Sequence, residues 1–364
     1  MDYNRLKLTL STGTHLIRKK VLDSISLASR LNLFTAPNLV NIILTRKCNL
    51  RCLQCDFWKL VKDNGLSTDS WKKIILDLRG YIGPFFLRFY GGEPFCRDDF
   101  LELINFCYKN GVAVLITTNG TLIDKKASVE LAKNKVFLIN ISLDGFKAET
   151  HDRLRGVQGT YGKVMQAIEY LKGKVPLQIN TTVMDDNLDE LLSLADFARK
   201  NRVMISFQPY NDKIYKVGVP ENPQGKSFIP GDLKKIDYIT EELCRLKKGN
   251  PYMVESCRQI RRIKGLYHGE LSGKQGKCEV TGLSLKIRSR GEVLLCSYGS
   301  SLAGGAIGNL ATSSFRDIWR SAETHNKIRK MKECGIRECL IHRGCYKEGL
   351  IDRIKKFRRC ILPF

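Results

Sequence analysis

Three cysteines near the start of the chain have the spacing of a cluster-binding loop. Cys48, Cys52 and Cys55 form a CX3CX2C pattern directly after an apolar run, Val40–Thr45. A loop this short can turn three sulfurs toward one point, and three thiolates on a [4Fe–4S] cluster leave one iron open for a substrate or cofactor. A structural zinc ion normally requires a fourth ligand, and none lies close by in the sequence. The pattern therefore favours an iron–sulfur cluster with one open coordination position.

The remaining cysteines indicate a second site near the end of the chain. The sequence has 13 cysteines, an odd number, so they cannot all pair within the molecule. It also lacks a signal-peptide pattern, so we expect a cytoplasmic protein in which clustered cysteines are reduced and bind metal. Cys96, Cys107 and Cys244 have apolar neighbours and are predicted to be buried thiols. The C-terminal group comprises Cys278, Cys296, Cys334, Cys339, Cys345 and Cys360.

The elements that must position the first cysteines alternate between strand and helix. The predicted strands are Val40–Thr45, Phe85–Tyr90, Val112–Thr117, Phe137–Leu143, Leu177–Val183 and Met204–Gln208. The predicted helices are Thr68–Arg79, Asp98–Lys109, Ile123–Lys133, Tyr161–Lys172 and Asn187–Lys200. This alternation predicts an α/β fold with a parallel sheet, either open and doubly wound or a partial barrel. In both cases the chemistry lies at the C-terminal ends of the strands.

Composition divides the chain into five predicted parts. Residues 14–34 have helical periodicity with basic residues between the apolar ones, which predicts a helix packed on the main domain or an interfacial helix. Residues 211–232 are rich in Gly, Pro, Asn and Asp and are typical of a linker, which a helix over 233–248 follows. The predicted division is an N-terminal segment 1–38, a strand–helix domain 39–210, a linker and helix 211–254, a cysteine-rich domain 255–347 and a basic tail 348–364.

The ordered motifs of residues 39–210 resemble those of the radical S-adenosylmethionine (radical SAM) enzymes. The CX3CX2C loop follows the first predicted strand, as in that family. The later motifs are Gly91-Gly92-Glu93-Pro94 after the second strand, Thr118-Asn119-Gly120 after the third and Ser142-Leu143-Asp144-Gly145 after the fourth, followed by His151-Asp152 and Arg155-Gly156. The resemblance implies a partial (β/α)6 TIM-type barrel in which Cys48, Cys52 and Cys55 bind the cluster.

The family resemblance also implies how the cofactor is held. The open iron takes the amino and carboxylate groups of SAM, and reductive cleavage gives a 5′-deoxyadenosyl radical that abstracts a substrate hydrogen. The turn of Gly91, Gly92, Glu93 and Pro94 is expected to bind the amino group. The other residues predicted at the cofactor are Ser142 and Arg155 at the carboxylate, Asn119 and Thr182 at the ribose or adenine, and Asp144, which also suits a turn cap. Gln54 stands where the family usually has an aromatic residue against the adenine.

The C-terminal cysteines resemble those of SPASM or twitch auxiliary-cluster domains. Cys278-X12-Gly291-X4-Cys296 matches the opening of that pattern, and Ser284–Arg288 with Val293–Cys296 predicts a small hairpin. The later spacing, Cys334-X4-Cys339-X5-Cys345, departs from the family's CX2CX5CX3C, whose last position is Gly349 here. We therefore expect one auxiliary [4Fe–4S] cluster. Its predicted ligands are Cys278, Cys296, Cys339 and Cys345, with Cys334 as a substitute for one of the last pair.

Two alternatives for the C-terminal cysteines remain open. Two auxiliary clusters would also use Cys257, Cys334 and Cys360. Four thiolates at these spacings suit a zinc ion as well.

The net charge of +24 predicts an anionic partner. Residues 245–290 carry twelve Lys and Arg against three Asp and Glu, and residues 320–364 carry thirteen against five. We expect a small anionic metabolite or sugar derivative as substrate, and a flavodoxin or ferredoxin as one-electron reductant. The alternatives are a peptide or protein maturase, and a membrane-surface enzyme that docks through residues 14–34 and the basic tail to reach a lipid-linked substrate. The sequence has no nucleic-acid-binding signature, and it assigns no catalytic residue.

Overall fold

The parallel sheet predicted from the sequence is confirmed in the computed structural model, which describes residues 37–59, 65–210, 227–270, 284–296 and 305–332. Six strands follow one another along the chain. They are β1 (Leu39–Thr45), β2 (Phe86–Gly91), β3 (Ala113–Thr118), β4 (Leu138–Ser142), β5 (Leu177–Val183) and β6 (Met204–Pro209). Neighbours in sequence are neighbours in the sheet, and every pair from β1–β2 to β5–β6 is parallel. All six C-terminal ends therefore meet at one edge of the sheet.

Amphipathic helices connect these strands and extend beyond the last one. They are α1 (Thr68–Ile82), α2 (Phe100–Lys109), α3 (Lys125–Lys133), α4 (Ala148–Arg155), α5 (Thr160–Leu171), α6 (Leu191–Asn201), α7 (Leu233–Gly249) and α8 (Cys257–Tyr267). Side-chain caps begin several of them, as at Asp124, whose carboxylate accepts the Ala127 amide 2.7 Å away. The sequence reasoning missed α4 and α8. Helix α4 has few apolar residues and no clear periodicity, and α8 lies in a basic stretch that was assigned to the cysteine-rich domain.

The two faces of the sheet differ in polarity. In β5 the buried residues are Leu177, Ile179, Thr181 and Val183, and the half-buried ones between them are Gln178, Asn180 and Thr182. The apolar face packs with helix residues such as Ile168 and Leu194 in one large core. The opposite, inner face is polar toward the C-terminal ends of the strands.

A second apolar cluster closes the inner face at the other end of the strands. It contains Ala113, Leu115, Phe137 and Leu138, with Phe86 and Met204 packed against them. The rings of Phe86 and Phe137 lie 4.9 Å apart, centroid to centroid. These residues stand at or near the first positions of their strands. The inner face is therefore apolar at its base and polar at the edge where the connecting loops lie.

The C-terminal part of the chain adds strands to the same sheet. Strand β7 (Ser284–Ile287) pairs in parallel with β1, with Leu39 opposite Ser284 and Ile42 opposite Ile287. It then forms the predicted hairpin with β8 (Glu292–Leu294), and β9 (Gly308–Asn309) completes a nine-stranded order of β6-β5-β4-β3-β2-β1-β7-β8-β9. The parallel pairing of β7 with β1 was not predicted, because a pairing of strands so distant in sequence leaves no local pattern.

The C-terminal segment also shares the core of the barrel. Helix α9 (Phe315–Arg320) begins where the Phe315 amide donates to the carboxylate of Asp77 in α1, at 2.6 Å, and α10 (Ala322–Lys332) follows it. Phe315 and Trp319 are buried in the same apolar cluster as the strands. The many cysteines of this region had indicated metal binding and gave no sign of this apolar packing. Its described residues pack on the barrel.

Several predicted features lie outside the described residues. They are the N-terminal helix over 14–34, most of the linker over 211–232, the basic tail, and Cys278, Cys334, Cys339, Cys345 and Cys360. Among the helices that the structure describes, none combines the length and the apolarity needed to cross a membrane.

Candidate active site

The cysteine loop is fixed by backbone hydrogen bonds on two sides. On one side the amides of Gly92 and Glu93 donate to the carbonyls of Thr45 and Lys47, at 2.9 and 2.7 Å. On the other side the loop donates to the end of α4: the Arg51 amide bonds the Arg155 carbonyl at 3.1 Å, and the Leu53 amide bonds the Leu154 carbonyl at 3.0 Å. The loop is therefore held between the Gly-Gly-Glu-Pro turn and the C-terminal end of α4.

Two glycines make this close approach possible. A Cβ atom on Gly92 would lie 2.1 Å from the Lys47 carbonyl oxygen, and one on Gly156 would lie 2.2 Å from the Arg51 carbonyl oxygen. Gly156 also has a φ of +69°, a left-handed backbone conformation that residues other than glycine rarely adopt. Both positions therefore require glycine for the neighbouring backbones to reach the cysteine loop.

The three cysteines open into one cavity of about 240 Å³ at the C-terminal edge of the sheet. The cavity combines residues of the cysteine loop with residues from the ends of β2 to β6. Its lining is Cys48, Leu50, Cys52, Gln54, Cys55, Phe57, Trp58, Tyr90, Gly91, Gly92, Thr117, Thr118, Asn119, Ser142, Arg155, Asn180, Thr181, Thr182 and Gln208. Six predicted cofactor residues are therefore at the cavity: Gly91, Gly92, Asn119, Ser142, Arg155 and Thr182.

The residues of the cavity suit an iron–sulfur cluster, since three thiols and a buried amide oxygen lie at it. Among the described residues, no three His, Cys, Asp or Glu side chains converge closely enough to bind one ion. A tetrahedral zinc site needs all its sulfurs about 2.3 Å from the metal, whereas the corners of a cluster hold thiolates further apart. Gln54 adds a buried side-chain oxygen, Oε1, that has no hydrogen-bond partner in the described structure. Cys48, Cys52 and Cys55 thus remain the proposed ligands.

Burial favours the protonated thiols of Cys48 and Cys55. Desolvation raises the pKa of Cys48 to about 12 and the pKa of Cys55 to about 11. The Arg155 guanidinium stands beside the loop, with Nη1 3.8 Å from Cys52 Sγ. Since iron binds thiolates, loading of a cluster here releases protons.

Glu93 lies behind the cavity and is fully buried. Its carboxylate accepts the Asn119 amide and the Thr118 hydroxyl, each at 2.7 Å, and the Phe95 amide at 3.2 Å. Burial raises the pKa of Glu93 to about 7, although these hydrogen bonds and Arg155 oppose the rise. Glu93 thus joins the turn after β2 to the end of β3, with Pro94 buried beside it. A direct contact of Glu93 or Pro94 with SAM stays a prediction.

Asp144 and Arg155 form a buried ion pair next to the cysteine loop. Asp144 Oδ2 lies 2.7 Å from Arg155 Nη2 and 3.0 Å from Gln54 Nε2, and Oδ1 accepts the Thr182 amide at 2.9 Å. Burial disfavours the charge of Arg155, yet Asp144 and Cys52 raise its pKa overall. Asp144 itself does not line the cavity, so the structure supports a positioning role for it and leaves its predicted contact with SAM a proposal.

His151 supports the loop after β4, to which Asp144 belongs. Its Nδ1 accepts the Asp144 amide at 3.2 Å, and burial, reinforced by Arg155, lowers the pKa of His151 to about 3. The imidazole is therefore neutral at ordinary pH. His151 is not among the residues that line the cavity.

The sequence analysis did not predict four residues that line the cavity near the C-terminal ends of the strands. Tyr90, Thr117, Asn180 and Gln208 line it together with the cysteine loop. The first three lie at inward-facing positions of their strands, and Gln208 lies at the exposed end of β6. Polar residues between apolar ones near the end of a predicted parallel strand were the available signal, because that alternation marks a sheet with one polar face.

Of the predicted auxiliary ligands, Cys296 lies within the described structure. It follows β8 and packs partly against the main core. Cys257, which the two-cluster alternative used, lies at the start of α8 beside Cys244 of α7. Its thiol bonds the Cys244 carbonyl at 3.5 Å, and the Cys244 thiol bonds the Cys257 carbonyl at 3.6 Å. Cys244 is buried, as predicted, and so is Cys107, while Cys96 is half-buried.

Two family models match the chain. The radical SAM superfamily model covers residues 42–198, and the model of the SPASM iron–sulfur cluster-binding domain covers residues 278–346. The first match includes the cysteine loop and the strand-end motifs, and the second includes Cys278, Cys296, Cys334, Cys339 and Cys345.

Known proteins resemble the chain over most of its length. An AdoMet-dependent heme synthase of Methanosarcina barkeri is 31% identical over 321 residues, which are 83% of this chain and 89% of the relative. The mycofactocin maturase MftC of Mycolicibacterium smegmatis is 27% identical over 314 residues, 82% of this chain and 74% of the relative. Streptococcus suis SuiB bound to S-adenosylmethionine has a TM-score of 0.66 at 20% identity and covers 89% of this chain and 76% of its own. The last match shows a shared fold.

Replacing Gly92 with alanine should prevent the first cluster from binding. The added Cβ collides with the Lys47 carbonyl and displaces the cysteine loop, so we expect Gly92→Ala to lose about four irons per reconstituted chain. Iron and acid-labile sulfide content measure the loss. Gly162→Ala is the matched control, because a Cβ there meets nothing within 4 Å, and its iron content should match that of the native protein. A Gly92→Ala protein with full iron content contradicts the role of this turn.

The auxiliary cluster should depend on Cys296 and not on Cys257. We expect Cys296→Ser to lower the iron content by about four atoms per chain, and Cys257→Ser to leave it unchanged because that thiol is engaged with Cys244. Loss of iron in the Cys257→Ser protein would support the two-cluster alternative instead.

Removing the charge of Asp144 should destabilise the protein well beyond an ordinary surface change. Asp144→Asn leaves the buried Arg155 without its counterion, which we expect to cost about 3 kcal/mol in the free energy of unfolding. Asp196→Asn breaks exposed pairs with Arg199 and Lys200 and should cost less than about 1 kcal/mol. Thermal unfolding of the two variants under identical anaerobic conditions compares them. Equal shifts in midpoint would contradict the structural importance of the buried pair.

Proposed function

Because the chain belongs to the radical SAM superfamily and carries a C-terminal SPASM domain, we propose that it removes a hydrogen atom from a small anionic metabolite at the polar end of the sheet. The enzyme uses SAM, a [4Fe–4S] cluster and auxiliary iron–sulfur chemistry, and it needs a one-electron reductant, for which flavodoxin or ferredoxin is our candidate. The observation that carries the proposal is the shared cavity. The proposed cluster ligands and the strand residues Tyr90, Asn180 and Gln208 line the same space.

The chain's own residues position the cofactor and the substrate. When bound, the cluster supplies the electron that splits SAM into methionine and the 5′-deoxyadenosyl radical. We propose that Ser142 and Arg155 hold the carboxylate of SAM, and that Asn119 and Thr182 face its ribose or adenine. The inner-face polar residues hold the substrate, and the buried apolar base limits how deep it can enter.

An iron porphyrin that carries propionate groups is the first specific substrate to test. The similarity to a heme synthase over 83% of this chain supports it, and so does the positive charge of the protein. Iron-coproporphyrin III differs from heme in having propionates where heme has two vinyl groups. Removal of one hydrogen atom from a propionate side chain, followed by loss of carbon dioxide and one electron, leaves a vinyl group. The SPASM domain's iron–sulfur centre is our candidate acceptor for that electron.

A peptide maturase is the second candidate function. The mycofactocin maturase, which aligns with 82% of this chain, supports it. A lipid-linked substrate stays a prediction, because the segments on which it rests lie outside the described residues.

Metal analysis with product analysis tests the proposal. Anaerobically reconstituted protein should contain about eight irons per chain, and the triple variant Cys48→Ala/Cys52→Ala/Cys55→Ala about four. With dithionite and SAM the native protein should form 5′-deoxyadenosine, and the variant should form none. With iron-coproporphyrin III, mass spectrometry should detect a porphyrin lighter by one carbon dioxide and two hydrogens for each group converted.

The same assay separates the possible failures. If SAM is cleaved but iron-coproporphyrin III is unchanged, the porphyrin substrate is wrong and other anionic metabolites follow. Four irons in the native protein and none in the triple variant would exclude an auxiliary cluster as electron acceptor.

A further inference from the structure

Lys286 lies on the inner face of the sheet, in a row with other polar residues. Strand β1 is between β2 and β7, and its Asn41 is in register with Arg88 on one side and with Lys286 on the other. Asn41 bonds the neighbouring backbone through its side-chain amide, which donates to the Leu285 carbonyl at 3.1 Å. The row therefore places one basic side chain on each side of a fixed amide, one inward-facing position before Tyr90 along the strands.

The ammonium group of Lys286 reaches the wall of the cavity. Its Nζ lies 5.8 Å from the centroid of the Tyr90 ring, and Tyr90 lines the cavity with the three cysteines of the loop. Tyr90 is one inward-facing position closer to the C-terminal edge than Arg88. Lys286 thus lies on the substrate side of the sheet, next to a ring that a bound molecule would contact.

Lys286 also lies near Cys296, a predicted ligand of the auxiliary cluster. Arg288 lies two residues further along the same face of the strand. Burial and then Arg288 lower the pKa of Lys286 to about 8. Leu294 of β8 is its partner across the hairpin, and Cys296 follows two residues later. Lys286 is therefore close in the sheet both to a residue of the cavity wall and to a predicted cluster ligand.

Among the described residues, Lys286 differs from Arg155 in forming no ion pair. Arg155 is paired with Asp144 at 2.7 Å, whereas Lys286 has no carboxylate within ion-pair distance among the residues that the structure describes. The contact with the Tyr90 ring supplies no negative charge, and a largely buried ammonium group without a counterion is unfavourable. An anionic ligand would supply both the missing charge and the hydrogen-bond acceptors.

We propose that Lys286 is a specificity-determining residue that binds an anionic group of the substrate, a carboxylate or a phosphate. Arg288, on the same face, extends the positive charge toward the hairpin. An anion held here would lie beside Tyr90 and would anchor the substrate next to the space that the cysteine loop lines. This inference rests on the proposed function, since it assigns a residue to the same substrate site.

Protection from chemical modification tests the anion site without requiring turnover. Reconstituted native enzyme is reductively methylated with isotopically labelled formaldehyde in chloride, citrate or inorganic phosphate at equal ionic strength, and modified lysines are located by mass spectrometry. We expect citrate, phosphate or both to slow the methylation of Lys286 about tenfold relative to chloride. Lys172 is the reference, because it is exposed and paired with Glu169, and its rate should be the same in all three salts.

The three salts have distinct meanings. Protection by citrate alone indicates a carboxylate site, and protection by phosphate alone indicates a phosphate site. Equal rates in all three salts overturn the proposal. A Lys286 that does not react even in chloride also overturns it, because an anion could not then reach the ammonium group.

Variants connect the site to catalysis. With iron-coproporphyrin III as probe, Lys286→Met should raise the KM about tenfold, and Lys286→Arg should recover most of the affinity because it keeps the charge. Lys172→Met should match the native enzyme. A Lys286→Met protein with native KM and a lower kcat contradicts a binding role.

The failures of the two proposals are distinguishable. If native enzyme does not convert iron-coproporphyrin III while citrate still protects Lys286, the porphyrin substrate is wrong and the anion site is supported. If the porphyrin is converted, neither citrate nor phosphate protects Lys286, and the Lys286 variants keep the native KM, the proposed anion site is wrong.

Discussion

The backbone hydrogen bonds that hold the cysteine loop on both sides are the constraint on which the rest of the site depends. The loop contributes carbonyls to the turn after β2 and amides to the end of α4. Two different crossover units must therefore be in place before the three sulfurs face one cavity. This placement depends on two residues without side chains. Gly92 and Gly156 allow the neighbouring backbones to approach the loop closely.

Buried carboxylates connect the loops at the C-terminal edge of the sheet. Glu93 links the turn after β2 to the end of β3, and Asp144 links the loop after β4 to Arg155 and to the backbone of β5. Each carboxylate accepts several hydrogen bonds, which compensates for its burial. These groups act on the geometry of the cavity without lining it. This separates the residues that shape the site from those available to a cofactor or substrate.

Local patterns predicted the repeating part of the fold and the centre of the site. The six strands agree with their predictions within about two residues, because each is an apolar run bounded by turn residues. The cysteine spacing likewise located the cavity. What was missed depends on contacts distant in sequence, such as the pairing of β7 with β1 and the role of Lys286. The positioning role of Asp144 was missed for the same reason. Its partners Gln54 and Thr182 are far from it along the chain.

The pairing of β1 with β7 has a consequence for how the chain folds. Asn41 and Leu285, which bond across it, are 244 positions apart, so this contact closes a very long loop. One edge of β1 therefore has no strand partner until residues 284–287 have been synthesised. The cysteine loop directly follows β1. During synthesis, the strand that carries the first cluster site is thus among the last to gain both neighbours, and a chain truncated before β7 would present that edge to other molecules.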